Sequence, residues 1–97
     1  MFGRAKNELE KPPLARQDGA VEILRAWGGK DLPQQYSLLL TWEDPAAWGM
    51  LLVDIARHAA KAYSAAGGIS EAEALARLKA GFDVEWGVAT DAPEQIG

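Results

Sequence analysis

The stretch Thr41–Tyr63, TWEDPAAWGMLLVDIARHAAKAY, decides the reading of this chain. It passes from the end of a strand through a sharp helix start into a long helix. Asp44 suits the N-cap, where its carboxylate accepts from a free backbone N–H. Pro45 suits the first helical position, where no N–H is needed. The helix is expected to run to about Ala66 and stop at Gly67-Gly68, which can adopt the left-handed cap. On a helical wheel, Met50, Asp54, Arg57, His58, Lys61 and Ala65 form a polar sector. The remaining apolar arc is roughly 200° wide, against the ~100° stripe of an ordinary surface helix. One part of the arc is large: Trp48, Leu51, Leu52, Ile55 and Tyr63. Another is small: Gly49, Ala56 and Ala60, flanking Val53. The large set is expected to anchor the domain's own core. The small set is expected to receive a close-packed helix, from this chain or its twin.

Upstream, residues 20–27 (AVEILRAW) fit a strand, with Val21, Ile23 and Trp27 on one face and Glu22, Leu24 and Ala26 on the other. Arg25 breaks the pattern and suggests an edge or rim. The segment GGKDLP at 28–33 reads as turn punctuation. Residues 34–42 (QQYSLLLTW) resume a strand, with Tyr36, Leu38, Leu40 and Trp42 on one face. A short connection between two such runs predicts a β-hairpin. Downstream, Ser70 and Glu73 make a capping box that opens a second helix, expected to end near Gly87. Its apolar stripe is Ala72, Leu75, Leu78, Phe82 and Trp86. Glu73 and Arg77 stand four apart and can pair weakly. Residues 1–18 read as a flexible N-terminal tail, 19–87 as one domain and 88–97 as a flexible C-terminal tail.

The totals fit one small domain: 97 residues, 48% hydrophobic and 25% charged. So short a chain has a marginal core unless something staples it. Cysteine is absent, which excludes disulfides, thiolate metal sites and Cys nucleophiles. A net charge of −4 argues against a nucleic-acid partner, which asks for a basic patch. No apolar run is long enough for a signal peptide or a membrane span, so a cytoplasmic location with no membrane partner is expected.

Candidates for chemistry are few. His58 is the only histidine. It lies one turn after Asp54, which could orient it as a base, yet no nucleophile is placed to use it. An i, i+4 Asp–His pair could donate two metal ligands, but no spacing supplies a third, so no metal and no cofactor are expected. Glu43, Asp44, Asp83 and Glu85 are explained by capping and solvation. The glycines at 28–29 and 67–68 match no phosphate-binding loop and mark turns. Four tryptophans, Trp27, Trp42, Trp48 and Trp86, stand at element ends and suit core corners or interface anchors.

The DPAAWG…DIARHAAKAY run, followed by ALARLKAGFDVEW, resembles a family of small bacterial proteins that carry a domain of unknown function. Trp42, Asp44-Pro45, Trp48-Gly49, Asp54, Ala56-Arg57-His58, Tyr63, Gly81-Phe82 and Glu85-Trp86 carry the resemblance, which covers roughly Ala20 to Trp86. It implies a bacterial origin and one compact domain, and brings no activity or catalytic residue.

The expected fold is therefore α+β in the order β-β-α-α, a small antiparallel hairpin packed against two helices and completed by dimerisation. Two helices and a lone hairpin cannot cover the wide arc of the first helix, which points to a homodimer or another protein partner. The leading expectation is a non-enzymatic interaction protein acting as a homodimer. A small-molecule module is the alternative, with Trp48, Tyr36 and Trp86 lining a pocket and Asp54, Arg57 or His58 holding a polar group. An enzyme would use Asp54 and His58 in a cleft with a third polar group.

Overall fold

The computed structural model describes residues 5–88 and the backbone of residues 94–95. The order is strand, strand, helix, helix, as the sequence leads one to expect. Strand β1 is Leu24–Gly29 and β2 is Leu32–Leu38, paired antiparallel. Leu24 faces Leu38 and Ala26 faces Tyr36, so one sheet face carries two directly opposed apolar pairs. Arg25 lies on β1, an edge of the sheet.

The hairpin is tighter than the sequence implies. Its loop is Lys30-Asp31, not residues 28–33, because Asp31 takes a left-handed φ of 61°. Aspartate tolerates that conformation better than most residues, so two residues suffice for the reversal. Gly28 and Gly29 accordingly belong to β1, beside a register irregularity between Trp27 and Gly29. Pro33 is tolerated in β2 because it stands near the strand's start, before the residues that pair on the other side. Leu40 and Trp42 lie past the end of β2, in the connection to the first helix.

Both segments expected as tails make contacts. Glu94–Gln95 form β3, a two-residue strand parallel to β2 at Gln35 and Tyr36. Residues 89–93 and 96–97, the rest of that expected C-terminal tail, lie outside the described residues, as do residues 1–4 of the N-terminal one. In the N-terminal segment Pro13–Arg16 make one 3-10 turn, and Glu8 reaches Arg25 at 3.0 Å. Arg25 also holds Glu22 at 3.0 Å. The hydrogen bond and charge of Glu22, with the charge of Glu8 added, push the guanidinium pKa up from its ordinary value.

Helix α1 is Ala46–Ala66 and helix α2 is Glu71–Gly87. Asp44 Oδ1 accepts from Ala46 N–H at 2.9 Å, the bond expected of it, but Pro45, expected as the first helical residue, stands at the N-cap directly before α1. Gly67 and Gly68, with φ of 94° and 91°, turn the chain back. Ser70 Oγ accepts from Glu73 N–H at 3.1 Å and opens α2. The ion pair along α2 is Lys79–Asp83 at 2.8 Å rather than Glu73–Arg77. Both spacings are one helical turn, and the order acid before base would favour Glu73–Arg77, so the choice is not one that helix spacing dictates.

The helices pack through small side chains. Ala60 is fully buried and Ala74 is 4% exposed, and these two are the buried apolar residues of the described chain. Of the small face of α1, Ala60 receives α2 near the loop end of the pair, while Gly49 and Val53, expected to do the same, stay exposed. The large face does not build a core: Leu52, Ile55 and Tyr63 are 49%, 42% and 60% exposed. The reason is the placement of the sheet. β1 pairs with β2, β2 with β3 and α1 packs on α2, but no strand brings its Cα atoms within 8 Å of a helix. Trp48 packs instead on Trp42, edge to face at 5.7 Å.

Candidate interaction surface

Antiparallel helices joined by a short turn touch closely at the turn and leave a groove further along. Here the groove has a volume of about 730 Å3. Helix α1 supplies Gly49, Leu52, Val53, Ala56 and Arg57. Helix α2 supplies the whole stripe read from the sequence, Ala72, Leu75, Leu78, Phe82 and Trp86, with Ala76 and Lys79. The stripe lines an open surface instead of sealing a core.

The groove has two unlike ends, set by the antiparallel run of the helices. At the open end are Gly49, Phe82 and Trp86. The two rings stack at 5.5 Å between centroids and 22° between planes. Trp86 is 81% exposed, so the pair stands out from the surface. A Cβ added at Gly49 would meet nothing within 4 Å, so this end of α1 is uncovered. Toward the helix turn the lining changes to Ala56, Ala72 and Ala76 beside Arg57. Arg57 is exposed, and no ion pair joins it to another described residue.

The six site candidates do not converge. Trp86 and Arg57 share the groove, at opposite ends. Trp48 is half-buried against Trp42, and its indole Nε1 is buried without a hydrogen-bond acceptor. Tyr36 lies in the sheet, its hydroxyl donating to Gln34 Oε1 at 2.7 Å. Asp54 and His58 are both exposed, and no hydrogen bond joins them. Among the described residues no three His, Asp or Glu side chains gather as a metal site would require. Among the described residues no helix is long and apolar enough to cross a membrane. Leu52, Val53, Leu75, Leu78 and Phe82 also line the groove. The sequence marks them only as apolar stripe, and the pattern gives no sign of whether a stripe is covered.

The uncovered surface is large in absolute terms. The chain exposes 8581 Å2 at a mass of 10.4 kDa, where a compact monomer of that mass exposes about 5,400 Å2. Its radius of gyration is 15.5 Å, against about 12.5 Å for a compact domain of this length.

Comparison with known proteins places the chain in a family. Residues 8–90 match the model described as Domain of unknown function (DUF5076), and the chain belongs to that family. A solved structure from the photosynthetic bacterium Rhodopseudomonas palustrus CGA009, provisionally named a pyruvate dehydrogenase, is 36% identical and has a TM-score of 0.73. The likeness covers 100% of this chain and 98% of that one. No curated protein matches the sequence.

Proposed function

We propose that this DUF5076 domain is a non-enzymatic interaction module that works as a homodimer. One observation carries the reading: the described chain buries no apolar side chain larger than alanine. Burial of apolar surface is the dominant favourable term in folding, at about 25 cal/mol per Å2, and chain entropy opposes it at every residue. The larger apolar side chains are left half-buried or exposed, so a further surface that covers them would add to the stability. The excess over a compact monomer, roughly 3,000 Å2 per chain, exceeds the roughly 1,000–2,500 Å2 that each subunit of an obligate homodimer removes from water, so a dimer interface has ample surface to draw on. A bacterial, cytoplasmic setting fits this reading and the source of the solved relative.

Light scattering coupled to size exclusion at micromolar concentration tests it. The expected mass is twice the 10.4 kDa of one chain. A folded species at the mass of one chain overturns the reading.

A second reading has one observation in its favour. The groove volume of about 730 Å3 falls within the range of small-molecule sites. Its lining would suit an apolar molecule with an anionic end at Arg57. Trp48 and Tyr36 would play no part, because both lie outside the groove. The enzyme name belongs to the solved relative; in this chain Asp54 and His58 share no hydrogen bond.

A further inference from the structure

Of the surfaces left open, the helix groove has the features of a self-complementary one. We propose that a second copy of this chain occupies it, antiparallel, so that the Phe82–Trp86 pair of each protomer lies over the Ala56–Arg57–Ala72 end of the other's groove. This rests on the homodimer reading and adds the surface and the register. A two-fold interface puts the same patch on both subunits, so each feature must find its complement within that patch. Size is matched first. The stacked rings rise at one end, and alanines leave room at the other. Charge is matched next. Asp83, paired with Lys79 along its own helix at 2.8 Å, lies between the two rings in sequence, while Arg57 at the far end has no ion pair among the described residues. A two-fold axis near Val53 and Lys79, midway along the groove, brings Trp86 and Asp83 of one protomer to Arg57 of the other. The guanidinium can then lie over the indole face, near a carboxylate. A parallel arrangement would set rings against rings and leave the alanines facing a gap.

Area points the same way. Phe and Trp side chains bury about 150–250 Å2 each, so two such pairs supply a central cluster of hot-spot type. Strand-edge pairing would leave both the groove and Trp86 in water.

The chain contains no cysteine, so single cysteines can be placed without background. Val53→Cys puts a thiol beside the proposed axis, and Ala62→Cys puts one on the opposite side of α1. With a short bis-maleimide, Val53→Cys should give a covalent dimer and Ala62→Cys should not. In parallel, Trp86→Ala should raise the dimer dissociation constant about tenfold or more, while Trp27→Ala on β1 leaves it unchanged. Circular dichroism checks that each variant is helical. A native dimer that keeps its affinity in Trp86→Ala and gives no cross-link at Val53 overturns the groove and spares the homodimer. A folded native monomer whose groove takes up 1-anilinonaphthalene-8-sulfonate overturns both.

Discussion

Trp42 and Trp48 meet edge to face, with ring centroids 5.7 Å apart and planes at 76°. This contact fixes the linker between β2 and α1 to the first turn of the helix, across the Asp44-Pro45 cap. Beyond it the strands stand clear of the helices: no strand brings its Cα atoms within 8 Å of one, and the large face of α1 stays uncovered.

The pair should be energetically coupled. In a double-mutant cycle of Trp42→Leu and Trp48→Leu, the interaction energy is expected at about 0.5–1.5 kcal/mol, read by denaturant unfolding. Trp48→Phe should cost less than Trp48→Leu. Phenylalanine keeps a ring and removes the buried Nε1–H that finds no acceptor.

The two helix starts should each respond to loss of one side-chain oxygen. Asp44→Ala and Ser70→Ala remove the acceptors for Ala46 N–H and Glu73 N–H. Each is expected to lower stability by about 1 kcal/mol. Ser70→Asp should hold most of it, since its carboxylate can still accept. Equal stability of Ser70→Ala and the native chain in urea titrations would remove the cap from the account.

The turn between the helices should reject side chains for reasons of backbone alone. Gly67 and Gly68 hold φ of 94° and 91°, with open space where a Cβ would stand. Gly67→Ala and Gly68→Ala should therefore each cost about 1 kcal/mol through strain, with no clash to relieve. Asp31→Gly is expected to change stability in the opposite direction or not at all, because glycine takes the left-handed φ of 61° freely. Thermal unfolding of the three variants side by side reads the contrast.

Stability should depend on protein concentration. If the fold is completed by a second chain, mass action raises the melting temperature as concentration rises. A melting temperature constant over a hundred-fold concentration range would exclude a coupled dimer. In the native chain the melting temperature should climb, and Trp86→Ala should melt lower at every concentration.

Much of the fold was legible in the sequence because its signals are local. Asp44-Pro45, Gly67-Gly68 and Ser70–Glu73 act within one helical turn, so their chemistry does not depend on what packs nearby. The hairpin was legible as a hairpin, but its loop was not, since Asp31 takes the left-handed conformation that the neighbouring glycines adopt more readily. The groove was half legible: its α2 stripe follows from spacing, but the exposure of that stripe does not.

What the sequence by itself determined is the order of elements, their caps and the faces of each helix, because backbone hydrogen bonding and residue period decide them. Only the tertiary structure decided which apolar face stays open. That depends on the sheet standing clear of both helices and on how closely Ala60 and Ala74 let the helices approach. Distant parts of the chain set both, and no local pattern encodes them.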